Sequence, residues 1–196
     1  MRTKNFFLVA AFIICGLVCV NSVKGQTAPA GTGDIKLNLV LHPVQSIVVN
    51  PGNVGDVVQL EYKNLNDYKQ TTSSNSVEVQ NQLTLFSTGK FTVSAKAADF
   101  IVNEGTTQAI PGIGTINLQA RSNGGDYDKY ISLKKEEQLL YSNDKGTTGT
   151  SGLGIDVTYS GAVENAYLNE QFFKKADGVS GVTTFESTIT YSLYVN

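Results

Sequence analysis

Asp34-Ile-Lys-Leu-Asn-Leu-Val-Leu-His42 and Phe185-Glu-Ser-Thr-Ile-Thr-Tyr-Ser-Leu-Tyr-Val-Asn196 alternate apolar and polar residues along most of their length. In the first, Ile35, Leu37, Leu39 and Leu41 fall on one face. In the second, Phe185, Ile189, Tyr191, Leu193 and Val195 do. A period of two is the pattern of a strand with one buried face. Apolar strands at both ends of a chain either close a β-sandwich within one molecule or are lent to a neighbour.

Between them the sequence reads as strand after strand. Pro43 interrupts the first segment because it lacks an N–H for a ladder. Strands are expected at Ser46–Asn50, at Val57–Tyr62 beyond the turn Asn50-Pro-Gly-Asn53, and at Gln82–Ser87 and Lys90–Ala97. The last two read as a hairpin turning at Thr88-Gly89. Shorter strands are expected at Thr115–Ala120, Tyr130–Leu133, Gln138–Tyr141 and Ile155–Ser160, with a helical turn or loop at Asn64–Tyr68. Val163–Ala176 spaces Val163 and Tyr167 as a helix does, with Lys174 and Lys175 at its end and Gly178 beyond, which predicts one short helical crossover. Short strands separated by Gly, Asn and Asp turns make the class all-β, an immunoglobulin-like sandwich, as one domain over 34–196.

The chain opens on an export signal. Arg2 and Lys4 precede an apolar run from Phe6 to Val20, and Val23-Lys-Gly25 precede the expected cut before Gln26. That run is short for a spanning helix, and no later segment is apolar enough to cross a bilayer once residues 1–25 are removed. Residues 26–33 then form a flexible extension. Cys15 and Cys19 both lie in the signal, so residues 26–196 can form no disulfide and must fold by burial and backbone pairing. Loss of Arg2, Lys4 and Lys24 lowers the formal charge from −2 to −5, with no basic cluster to attract nucleic acid.

Residues for chemistry are sparse. His42 is the only histidine and residues 26–196 hold no cysteine, so neither a poly-imidazole nor a thiolate metal site can be built there, and no serine sits in a nucleophile elbow. Asp126 and Asp128 in Asn123-Gly-Gly-Asp-Tyr-Asp128 offer oxygen ligands for calcium, without a following glutamate at loop spacing. The glycine-rich loop Lys145–Gly154 lacks the Gly-Lys-Ser/Thr ending of a phosphate cradle. Tyr62, Tyr68, Tyr127 and Tyr130 are the candidates for a sugar-stacking row, in a chain without tryptophan. The expectation is a non-catalytic protein without a cofactor.

The stretch from Asp34 through Asn50, with its alternating strand, proline and second apolar strand behind a signal peptide, resembles the start of chaperone–usher fimbrial subunits of the colonisation-factor-like class. Leu83–Val93 and Ser187–Tyr194 are similar to secreted Bacteroidetes β-sandwich proteins of unassigned role. Many chaperone–usher subunits carry a tyrosine second from the C-terminus and a glycine some fourteen from it; here Tyr194 is third and Gly181 sixteenth from the end. The fimbrial resemblance implies a sandwich that lacks one strand, completed by the N-terminal strand of the next subunit. Ile35, Leu37, Leu39 and Leu41 would then be the donor side chains, and Phe185, Ile189, Tyr191, Leu193 and Val195 the acceptor edge strand. It implies self-association through the terminal strands, a periplasmic chaperone and an outer-membrane usher as partners, and a destination at the cell surface after passage through the periplasm. The reading from another class is a monomeric secreted binding module for polysaccharide.

Overall fold

A computed structural model describes residues 35–50, 57–70, 75–104, 107, 109–147, 151–173 and 181–195. The signal at 1–25, the extension at 26–33, and Lys174, Lys175 and Gly178 lie outside the described residues. Residues 42–196 form one compact unit; of the other unit, Met1–Leu41, the described residues 35–41 adopt no regular structure.

The strands are β1 (Gln45–Val49), β2 (Ser76–Ser87), β3 (Phe91–Ala97), β4 (Ile101–Glu104), β5 (Asn117–Ser122), β6 (Ile131–Ser132), β7 (Gln138–Asn143), β8 (Leu153–Ser160), β9 (Thr184–Glu186) and β10 (Ile189–Val195). One sheet has the order β1-β2-β8-β5-β6, a second the order β10-β3-β7, and β4 and β9 form a small third. Every pairing is antiparallel. The inner faces of the two larger sheets meet in one core, with Val79, Leu83, Leu85, Leu118, Ile155 and Val157 from one and Phe91, Val93, Ala95 and Leu140 from the other. The molecule is an all-β sandwich.

Four differences from the sequence reading have physical causes. Gln82–Ser87 and Lys90–Ala97 are not a hairpin: β2 and β3 lie in different sheets, and Ser87–Lys90 arches between them. Alternating apolar residues look the same whether two strands pair side by side or face each other across a core. The expected strand Val57–Tyr62 runs with alternating burial of Val58, Leu60 and Tyr62 but joins no ladder among the described residues. Phe185 falls on β9, not on the terminal strand; Ser187-Thr188 break the two apart, where Ser187 Oγ donates to Ala98 O (2.7 Å) and Ala98 N to Thr188 O (3.0 Å). Among its described residues the crossover carries one 3-10 turn, Glu170–Phe172, because Glu164 and Asn165 adopt positive φ and stop an α-helix at its start.

The described α-helix α1 (Leu65–Lys69) is short but well capped. Asn64 Oδ1 accepts from the backbone of Asn66 and Asp67, and Asp67 Oδ2 accepts from Lys63 N (2.7 Å) and Asn64 N (2.9 Å). On the outer face of the larger sheet, a bulge puts Asn81 at φ 50°. Its N–H donates to the buried Asp156 (2.8 Å), which also accepts from Arg121 Nε (3.2 Å). Arg121 pairs with Glu78 as well (2.7 Å) and covers the Tyr127 ring at 4.5 Å.

Candidate assembly edge

A sandwich has two lateral seams, and here they differ. At the β6/β7 side the chain itself bridges the sheets. Leu133, fully buried, donates its N–H to Ile116 O (2.9 Å), and Ala97 N donates to Lys134 O (2.8 Å). At the other side, β1 edges one sheet and β10 the other, and among the described residues no main-chain hydrogen bond joins them. A notch of about 230 Å³ opens there, lined by Pro43, Val44, Gln45, Thr88 and Val195.

The register of β10 on β3 measures what that open seam costs in cover. Val195, Leu193, Tyr191 and Ile189 pair with Phe91, Val93, Ala95 and Ala97. Those four β3 residues are 1, 0, 0 and 4% exposed, whereas Leu193, Tyr191 and Ile189 are only half-buried and Val195 is 43% exposed. Identical inward positions on adjacent strands differ because, among the described residues, β3 is flanked on both sides and β10 on one. In the immunoglobulin arrangement one sheet runs A-B-E-D and the other C-F-G. The order β1-β2-β8-β5 matches the first; β10 and β3 take the places of F and C, with β7 on the far side of β3, and among the described residues no strand pairs with the other edge of β10.

The floor of the seam carries a polar chain. Tyr159 Oη donates to Gln82 Oε1 (2.7 Å) and lies 2.6 Å from Tyr191 Oη, which must then be the donor to Tyr159. Burial raises both phenols above their ordinary range, so both stay neutral and keep these bonds. On the outer face, Glu137 accepts from Ser192 Oγ (3.2 Å) and Tyr194 Oη (2.5 Å). The Tyr194 hydrogen bond holds the Glu137 carboxyl below the usual carboxylate range. Toward the Ile189 end of the same face Lys96 lies opposite Thr190, and Lys135 lies nearby, paired with Asp99 (2.6 Å).

Of the residues singled out from sequence, Ile189, Tyr191, Leu193 and Val195 share this edge, and Phe185 does not. Phe185 instead packs near Phe100 and Phe172, with ring centres at 6.3 and 6.2 Å. Ile35, Leu37, Leu39 and Leu41 are 96, 92, 80 and 80% exposed and belong to no strand. His42 is exposed. Asp126 and Asp128 join no metal-ligating group among the described residues, and desolvation raises the Asp128 carboxyl. Of the four candidate tyrosines, Tyr130 is exposed. Tyr62 meets Tyr68 and Tyr167 at 5.2 and 5.0 Å, and its hydroxyl donates to Ala162 O (3.1 Å), while Tyr127 stacks with Arg121. Gln82, Glu137 and Tyr159 went unmarked in the sequence. Only Gln82, a polar residue beside the run Leu83-Thr-Leu85, left a trace there.

No family model matches the chain, and no curated protein matches it.

Proposed function

We propose that this protein is an exported, non-catalytic structural subunit of a surface fibre, assembled by donation of the segment Ile35–Leu41 to the β10 edge of the next copy. The observation that carries the reading is the half-covered inner face of β10 beside fully covered β3, in a chain that also holds an exposed strand-patterned apolar segment. An unpaired edge takes an added strand through main-chain bonds, and alternate side chains fill the space between the sheets. Four aliphatic side chains contribute about 1.5–3 kcal/mol each on full burial, before ordering costs.

The point of entry of the chain argues for a second copy as donor. Pro43, Val44 and Gln45 lie by Val195, the last residue of β10. A segment ending at Leu41 would reach its own β10 only by running toward that end, parallel to it. Parallel pairs are slightly weaker, and every pairing here is antiparallel. A segment from another molecule is free of that constraint. An edge left open before assembly needs temporary cover, the part a periplasmic chaperone plays ahead of an outer-membrane usher in the fimbrial class this sequence resembles.

The test is an SDS gel of surface-sheared material, unheated beside heated, probed for this chain. A ladder that collapses to one band on heating is expected. A single band near the monomer mass in both lanes would refute the fibre and favour the secreted binding module.

A further inference from the structure

Among the described residues β10 pairs with β3 alone, and its inner side chains are only partly covered. Partial burial contributes only part of what a fully covered side chain does. Something besides apolar packing must keep this strand laid down on the molecule. Its start is fixed by Ser187 Oγ, which donates to Ala98 O, and by Ala98 N, which donates to Thr188 O. Its outer face is fixed by Glu137, which accepts from Ser192 Oγ and Tyr194 Oη in the open, where water competes for the same groups.

Tyr191 makes a connection of another kind. Its phenol crosses the core to the opposite sheet, where its hydroxyl lies 2.6 Å from Tyr159 Oη on β8. Tyr159 Oη in turn donates to Gln82 Oε1 on β2 (2.7 Å). Sheets packed face to face stand about 10 Å apart, a gap that two phenols meeting at their hydroxyls bridge from one backbone to the other. Tyr159 and Gln82 are both buried, so neither is free to turn to water if the bond is cut. A buried hydrogen bond broken at one end leaves its partner unsatisfied, which costs more than the loss of an exposed one.

We infer that Tyr191, Tyr159 and Gln82 form an inter-sheet tie that holds β10 down while its far edge is unpaired. β10 opens as a unit when the tie is cut, and the edge is presented only while the tie holds. The tie acts on the single chain, so it stands whether or not another copy later fills the edge. The two rings also space the sheets, and exchange of tyrosine for phenylalanine keeps that spacing while removing the hydrogen bond.

The test is residue-resolved amide hydrogen exchange on the gel-filtered monomer of the full chain, comparing Tyr191→Phe with Tyr194→Phe. Both remove one hydroxyl from β10, one on the core side and one on the exposed side. Tyr191→Phe is expected to lower protection of the β10 amides that bond β3 by roughly three- to thirtyfold, the range of one buried hydrogen bond, and Tyr194→Phe by less than about threefold. The β7 amides that bond β3 from its other side should change by less than about twofold in both variants. An equal or larger effect of Tyr194→Phe would overturn the tie. So would a fall of the same size in β7, which would mean that the bond supports the whole sandwich and not β10. Tyr159→Phe cuts the same tie from the larger sheet and should lower β10 protection to the same extent. Tyr159→Phe combined with Tyr191→Phe should then lower it little further, since both changes remove one interaction. Additive losses would show two independent contacts and refute the tie.

Discussion

Replacing Leu37 and Leu39 together by aspartate separates assembly from folding. Both side chains are exposed in the single chain, at 92 and 80%. Burying them in a neighbour contributes about 1.5–3 kcal/mol each, so the pair represents about 3–5 kcal/mol of the joint after allowing for those exposures. At about 1.4 kcal/mol per tenfold, the joint should weaken by roughly two to four orders of magnitude, and more once the cost of desolvating two carboxylates is added. The compact unit 42–196 should be untouched. Surface changes stay within about 0.5 kcal/mol, or a Tm shift of about 2 °C for a chain of this size. Sedimentation of the purified protein measures the first quantity and a thermal melt of the dispersed chain the second. The reasoning fails if assemblies persist unchanged while the melt drops by many degrees. That pattern would mean Leu37 and Leu39 are buried in their own domain.

Three further outcomes test the domain that holds the edge. A Cβ at Gly146 would stand 2.8 Å from Ser87 O and 2.9 Å from Thr88 C, main-chain atoms of the β2–β3 arch that cannot swing aside. Gly146→Ala should therefore cost about 1–3 kcal/mol, seen as a Tm lowered by roughly 3–10 °C; an unchanged Tm would mean the arch yields freely. Asp156→Ala leaves the Asn81 N–H without its acceptor and strips one partner from Arg121, for about 2–4 kcal/mol in denaturant titration, while Asp156→Asn, which keeps an acceptor oxygen, should cost less. Equal losses would remove the hydrogen-bond argument. The Asp67 carboxyl, held low by the backbone N–H groups of Asn64 and Lys63, should titrate below the ordinary carboxylate range by NMR. A depressed pKa stabilises the folded form above the unfolded value, and that support fades as pH falls through the folded one. The α1 cap should therefore loosen only in acid, and a midpoint at or above the ordinary value would contradict the cap.

The class of this fold was legible because its strands carry period-two patterns bounded by Gly, Pro and Asn. Leu153–Ser160 and Ile189–Val195 follow that pattern closely. Pairing was less legible. Leu83 and Leu85 pack from one sheet and Phe91 and Val93 from the other, yet the intervening Thr88-Gly89 reads as a hairpin turn, because sequence carries the inward face of each strand and not its sheet. Phe185 shares the parity of the terminal strand but not its sheet. The chain switches sheets at Ser187-Thr188 through side-chain and backbone bonds to Ala98, a contact nearly ninety residues distant in sequence that no local pattern encodes. The apolar half of the candidate edge was legible for the same reason the strands were. Its polar half was not: Glu137 reaches Ser192 and Tyr194 only because β7 and β10 flank β3. Val57–Tyr62 shows the converse, a strand pattern whose burial is realised without a ladder.

If the open edge of β10 is filled in the assembled protein, residue-resolved amide hydrogen exchange across Ile189–Val195 will show it. In the dispersed Leu37→Asp/Leu39→Asp chain, the amides that bond β3 should be protected and the alternate ones, which face the open edge, should exchange rapidly. In assembled wild-type protein all of them should be protected. Rapid exchange of the alternate amides in assembled material would contradict the account, whatever else holds the copies together.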